Sequence, residues 1–127
     1  MELGLMAASM LDRSWEQMLD AALRHDLHLV EACAGGHIPK VHYDPVRLSA
    51  DPAAFDIFRR SLHEREIRIC SFGCHGNPIH PNAAIAKAAH DDLVATCKIA
   101  KRLDVHHISL LAGTPGGGPD DNLFYYN

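Results

Sequence analysis

The stretch that decides the fold reads Ile67-Arg68-Ile69-Cys70-Ser71-Phe72-Gly73 and then Cys74-His75-Gly76-Asn77-Pro78-Ile79-His80-Pro81. Its first half is an apolar run of strand length. Its second half is a polar loop with one glycine and two prolines, which marks where a buried strand ends. Helices are expected on both sides of it. Upstream, Asp51 is placed as an N-cap with Pro52 at the first helical position, where a missing amide is harmless. Phe55, Phe58, Leu62 and Ile67 fall along the buried side of that helix. Downstream, Asn82 can cap a long helix with a broad apolar face of Ile85, Ala88, Ala89, Leu93, Ala95, Thr96, Ile99, Ala100 and Leu103. Its last turn is basic, with Lys98, Lys101 and Arg102, as the helix dipole favours.

The same alternation extends to both ends of the chain. Leu3 to Ala8 reads as a short buried strand, and Ser14-Trp15-Glu16-Gln17 has the form of a capping box opening a helix that should end near Asp26. Leu27 to Ala34 reads as the second strand, broken by Gly35-Gly36. His37 to Ala50 holds two prolines without a sustained period and reads as a long surface loop or short helical turn. Val105 to Ala112 is the fourth strand, followed by the loop Gly113-Thr114-Pro115-Gly116-Gly117-Gly118-Pro119. Strand and helix alternate three times, which predicts an α/β fold of about four parallel strands with three intervening helices and right-handed crossovers. With 127 residues, the chain can bury one core and is expected to form one domain.

Composition narrows the function. Twelve Lys and Arg against sixteen Asp and Glu give a net charge of -4, with no basic stripe, so nucleic acid is not an expected partner. The first ten residues are apolar but carry Glu2 and lack a basic n-region, so neither a signal peptide nor a membrane span is read there. Cys33, Cys70, Cys74 and Cys97 lack the spacing of a disulfide framework, and a reducing cytoplasm is the simplest expectation. Cys70 and Cys74 beside His75 have the wrong spacing for a structural zinc site and read as core thiols. The glycine-rich loop after the fourth strand lacks the Lys-Ser/Thr ending of a phosphate-binding P-loop. Ten histidines raise the question of a metal, although His25, His28, His63, His90, His106 and His107 sit in helices or at strand starts and read as surface or half-buried imidazoles.

Four local signatures occur in one order: Ser14-Trp15-Glu16-Gln17, the segment from Leu29 to Lys40, the segment from Ser71 to Pro81, and Gly113 to Gly118. Together they resemble the sugar phosphate isomerase/epimerase group of xylose isomerase-like TIM barrels, across essentially the whole chain. The resemblance implies a partial (β/α)8 barrel, because a complete one takes about 250 residues. It implies the first three βα units and the fourth strand, with truncation where the fourth helix should begin and an apolar tail, Leu123-Phe124-Tyr125-Tyr126, left without a partner element. A natural half-barrel that closes by dimerisation is the alternative.

In such barrels the reacting groups lie at the C-terminal ends of the strands. The resemblance implies a divalent metal (Mn, Mg, Co or Zn) held mainly by residues of later strands, so no catalytic set can be transferred to this chain. His75 is the leading candidate, either as a metal ligand, as a histidine near this place is in the related apurinic endonucleases, or as a contact to substrate hydroxyls. Asn77 and His80 share its loop. Glu31, in an apolar strand, is either a substrate-orienting carboxylate or one arm of a salt bridge to a neighbouring strand's Arg or Lys. His37 and Lys40 could reach a phosphate or a sugar hydroxyl, or form a solvated loop face. The expected function is metal-assisted proton transfer next to the carbonyl of a sugar or sugar phosphate in the complete barrel, with this chain inactive alone. The alternatives are a non-catalytic half-barrel that self-associates into a homo-oligomer, because open sheet edges need covering, and a metal-dependent apurinic endonuclease.

Overall fold

The computed structural model describes residues 2–115 and 119–120. Glycines 116–118 of the last loop and the aromatic tail at 123–126 lie outside the described residues. Four strands, β1 (Leu5–Met6), β2 (Leu29–Gly36), β3 (Arg68–His75) and β4 (Ile108–Leu110), alternate with helices α1 (Trp15–Arg24), α2 (Pro45–Ala50), α3 (Pro52–His63) and α4 (Ala83–Leu103). The strands form an all-parallel sheet in the order β1-β2-β3-β4.

Each helix starts where a side chain replaces the missing backbone acceptors. The Ser14 hydroxyl accepts from the Gln17 amide while the Gln17 side chain accepts from the Ser14 amide, completing the expected capping box. Asp44, Asp51 and Asn82 accept from two amides each at the starts of α2, α3 and α4. The long helices also end alike. Asp26, Glu66 and Asp104 adopt left-handed backbone, with φ of 57°, 53° and 56°. The next residue's amide then reaches back to a helical carbonyl: Leu27 to Ala22 at 3.0 Å, Ile67 to Leu62 at 3.1 Å, Val105 to Ala100 at 2.9 Å. This is a Schellman turn used three times, each with a non-glycine residue at the left-handed position and an apolar residue after it. It reverses the chain directly into the next strand.

The core lies on one face of the sheet. Val30, Ala32, Ala34 and Phe72 are fully buried and join one cluster with Trp15, Met18 and Leu19 of α1, Phe55, Phe58 and Leu62 of α3, and Ile99 and Ala100 of α4. The alternate residues Leu29, Glu31 and Ser71 are half-buried, and Ser109 and Met6 are exposed. Period-two burial of this kind separates a helix-covered face from an uncovered one. Trp15 stacks on Phe58, 4.6 Å between centroids, and its indole N–H donates to Ser61 at 2.9 Å. The polar handle of a buried Trp is thereby satisfied.

Several boundaries differ from the sequence expectation. β1 and β4 are shorter than Leu3 to Ala8 and Val105 to Ala112, because each is an edge strand and pairs with one neighbour over a few residues. Ala7–Met10 winds into a 3₁₀ turn instead of continuing β1. Gly35-Gly36 does not break β2. The strand runs through both residues, at φ of 96° and 82°, and a Cβ on Gly36 would collide with the His75 backbone. Cys74 and His75 belong to β3 and not to the loop after it. Four helices are present where three were expected, because Asp44 and Pro45 start the short α2 inside the long connection. On α4 the predicted apolar face is buried or half-buried from Ala89 to Leu103, but Ile85 and Ala88 at its start are exposed and Asp92 is buried within it by a polar contact described below.

Tyr43 packs edge-on against Trp15 and Phe58. Its hydroxyl is buried with no hydrogen-bond partner among the described residues. Burial, with the nearby Cys33 and Cys74 thiols adding to it, pushes the phenol well above its ordinary pKa. Tyr43→Phe should therefore raise stability by about 1 kcal/mol in urea denaturation, because an unpaired buried hydroxyl costs roughly that much. The sign with pH follows. Below the unfolded phenol's pKa near 10 the native chain keeps its full stability, and above it the unfolded state ionises first, so stability falls. The Phe variant should lose less stability above pH 10 than the native chain; equal alkaline loss would contradict this placement of Tyr43.

Candidate functional site at the strand ends

The register of β2 on β3 sets Glu31 beside Ser71, Cys33 beside Gly73 and Gly36 beside His75, with shifts after Val30 and between Cys33 and Gly36. β4 adds Ser109 opposite Gly73. Parallel neighbours share a face, so these polar side chains collect on the side the helices leave uncovered, with Glu31 and Ser71 in the body of their strands and His75 at the C-terminal end of β3.

The Ser71 hydroxyl donates to Glu31 Oε2 at 3.0 Å. His75 Nε2 lies 3.4 Å from the Ser109 hydroxyl. The His37 ring stacks on His75 with centroids 5.7 Å apart and planes 28° from parallel. His37 also donates from Nδ1 to the His75 carbonyl at 3.3 Å, which fixes that nitrogen as the protonated one in this contact. Gly73 lies under the group. A Cβ there would stand 3.2 Å from His75 Cε1 and 3.4 Å from Glu31 Oε1, so the bare backbone leaves room for the two side chains to lean toward each other. Glu31 and His75 thus face one another over Gly73, and His37 stacks on His75 from the connection after β2. The salt bridge considered for Glu31 is absent: among the described residues its carboxylate takes a serine hydroxyl and no cation.

Asn77 and His80 are positioned differently. Both are buried. The Asn77 carboxamide donates to the Thr114 carbonyl at 2.8 Å and accepts from the amides of Thr114 and Ile79 at 3.2 Å each. It pins the loop after β3 to the loop after β4. His80 Nδ1 accepts from the Asn82 amide at 2.9 Å, immediately before α4. Lys40 is committed elsewhere too. Its ammonium contacts Asp92 at 2.6 Å and Asp44 at 3.7 Å, tying the connection after β2 to α4. Partial burial opposes its charge, but the hydrogen bond and attraction to Asp92, helped by Asp44, raise Lys40 above an ordinary lysine. Gly35 makes room for this pair, because a Cβ there would strike the Asp92 carboxylate.

The two buried thiols are held neutral, whereas Cys70, expected in the core, is exposed because it points away from the helix-covered face near the start of β3. Burial raises Cys33, and the Glu31 charge adds to it. Burial raises Cys74 against a hydrogen bond with Thr96. All four cysteines are unpaired. Among the described residues no three His, Cys, Asp or Glu side chains converge where they could hold an ion. Glu31 and His75 are two donor-type groups facing one space, which is short of a ligand set for zinc or a harder cation.

Sequence reading singled out Glu31, His37, His75 and Asn77 but missed Ser71, Ser109, Gly73 and Asp92. Ser71 and Ser109 each stand two residues before or within an expected strand's apolar run and share parity with the open face, a signal legible once register is known. Asp92 gave no such sign, being one of two adjacent aspartates on a helix.

No family model matches the chain. The chain is 28% identical over 123 residues to the uncharacterized protein YfiH of Bacillus subtilis (strain 168). The match takes in 97% of this chain and 39% of that protein, so the chain spans about two fifths of the length of the curated relative it matches.

Two substitutions separate the roles described. Gly73→Ala should fold with a stability change within about 1 kcal/mol, because only movable side-chain tips stand in its way. It should nonetheless displace the His75 ring, read as a shift of its imidazole NMR signals; unmoved signals would show that His75 does not lean over Gly73. Lys40→Met should cost about 3 kcal/mol by leaving the Asp92 carboxylate buried and unpaired, with the His75 signals unchanged.

Proposed function

We propose that this chain is the first half of a xylose isomerase-like (β/α)8 barrel acting on a sugar or sugar phosphate. The observation that carries the reading is the gathering of Glu31, Ser71, His75 and Ser109 on the uncovered face of a parallel sheet, running from the body of β2 and β3 to the C-terminal end of β3 at His75. Barrel enzymes work at that end. The strand order has no reversal, unlike a doubly wound sheet, whose ligands sit at a switch point.

Each residue has a plausible task in such a site. The Glu31 carboxylate, oriented by Ser71, accepts from a sugar hydroxyl. His75, held between Ser109 and the His37 ring, donates to or accepts from the carbonyl end of the substrate. Asn77 keeps the two bordering loops together, and so acts on the substrate through the loops. A divalent metal (Mn, Mg, Co or Zn) would polarise the carbonyl in the complete barrel. Glu31 and His75 do not hold one by themselves, and no step is assigned through it.

A second reading has its own observation. The uncovered face carries the exposed apolar residue Met6, Leu110 is exposed at the edge on the other face of β4, and β1 and β4 each have one edge unpaired among the described strands. A non-catalytic half-barrel would cover these by pairing with itself. The endonuclease reading is the least favoured, because the net charge of -4 opposes a DNA backbone. We keep the cytoplasm as the proposed location; no helix among the described residues is long and apolar enough to cross a membrane.

The test is deuterium uptake from D₂O at the carbon next to the carbonyl, for a panel of ketoses and ketose phosphates with added Mn²⁺. It compares the chain alone with the chain fused to the part of the Bacillus protein outside the match. Exchange by the fusion, lost with chelator and with His75→Ala, is the expected result. A folded fusion that neither exchanges nor binds any sugar would overturn the reading. A chain that forms a stable dimer and blocks exchange in the fusion would favour self-association instead.

A further inference from the structure

Away from that cluster, at the opposite end of the fold, lies a cavity of different charge. The helices run antiparallel to the strands, so the C-terminal turns of α3 and α4 sit at the N-terminal ends of β3 and β4. Between those turns is a cavity of about 560 Å³ lined by Arg59, Arg60, His63 and Arg102, with Asp56 and Asp104 at its sides. That volume is within the range of small-molecule sites.

The local charge is unusual for this protein. The chain as a whole is acidic, yet three arginines and a histidine meet here. Arg59 is loosely paired with Asp56 at 3.7 Å, both more than half exposed. Asp104 is turned toward His106 at 3.4 Å. Neither Arg60 nor Arg102 has a carboxylate partner among the ion pairs of the described residues, although carboxylates outnumber cations in the chain. Arg102 is also preorganised: its guanidinium carbon lies 3.4 Å from the centroid of the Phe55 ring. Stacking holds the plane of an arginine while its N–H edge stays available, the arrangement that suits bidentate recognition of an oxyanion. Favourable interaction with the helix ends accounts for a basic residue in each last turn. It does not account for their meeting across a cavity with one of them locked on an aromatic face.

We propose that this groove between the ends of α3 and α4 is a binding site for a phosphate-bearing small anion, separate from the cluster at the other end of the strands. Arg102 and Arg60 supply the principal contacts, Arg59 adds to the positive field, and His63 can offer a ring N–H to the ligand. The ligand binds by charge-assisted hydrogen bonds and undergoes no chemistry there.

Pyrophosphate titrated into the purified chain, followed by calorimetry and by the arginine side-chain NMR signals, tests this. Binding should weaken with added salt, and Arg60→Met with Arg102→Met should reduce affinity at least about tenfold, the equivalent of one charge-assisted hydrogen bond. Arg102→Lys keeps the charge and guards against misfolding; it should also weaken binding, because lysine lacks the planar fork. His75→Ala should leave pyrophosphate affinity unchanged. Absence of binding by the folded native chain, or binding lost with His75→Ala and kept in the double arginine variant, would overturn the proposal. Sulfate binding as tightly as pyrophosphate would overturn the assignment to phosphate chemistry.

Discussion

The handedness of the strand-to-strand crossover is the constraint from which the rest of this structure follows. A connection between parallel strands is right-handed in nearly all proteins, because twisted strand and helix pack together only that way. Here three connections step the same way across the sheet, giving the uninterrupted order β1-β2-β3-β4 among the described strands. All the helices therefore gather on one face with Val30, Ala32, Ala34 and Phe72, and the opposite face keeps whatever side chains the strands present. The half-buried Glu31 and the hydroxyls of Ser71 and Ser109 are compatible with β-strands only because that face is not packed by helices.

Much of this was legible in the sequence. Caps announced themselves through Ser14, Asp51 and Asn82, since a short polar side chain before an apolar-periodic run has few other uses. The central strands were found as near-continuous apolar runs, the pattern of strands buried on both faces, although the helices cover only one face here. The ends of those strands were not legible. Gly35 and Gly36 look like breakers, and only the approach of His75 and Asp92 explains why they continue the sheet. His75 stood out by its position directly after an apolar run, but its stacking on His37 depends on a register shift between Cys33 and Gly36 that no local pattern encodes.

The buried pair of Lys40 and Asp92 illustrates the same limit. Each residue looks like ordinary surface sequence, and a helix wheel places Asp92 among apolar residues as an apparent defect. Together they join the connection after β2 to the middle of α4, with Thr96 donating to the Asp92 carbonyl one turn on. Asn77 performs a comparable service between the loops after β3 and β4. The strand ends are thus framed by two polar ties, one ionic and one neutral, while the aromatic packing of Trp15, Tyr43 and Phe58 lies among the helices. Substrate-sized groups at the strand ends would meet a frame whose parts are already hydrogen-bonded and need little reordering to receive them.

The unbroken strand order also has a bearing on how the chain comes to be folded. Each strand docks beside the one made just before it, so no segment must wait for a later one to insert between two earlier neighbours. Domains fold as they emerge from the ribosome, N-terminal parts first, and contacts between nearby segments form with the least loop-closure cost. The three Schellman turns make each βα unit end in the same tight reversal, delivering the next strand to the growing edge. Assembly during synthesis can therefore proceed as a simple elongation, in which β2 templates β3 and β3 templates β4 as each leaves the exit tunnel.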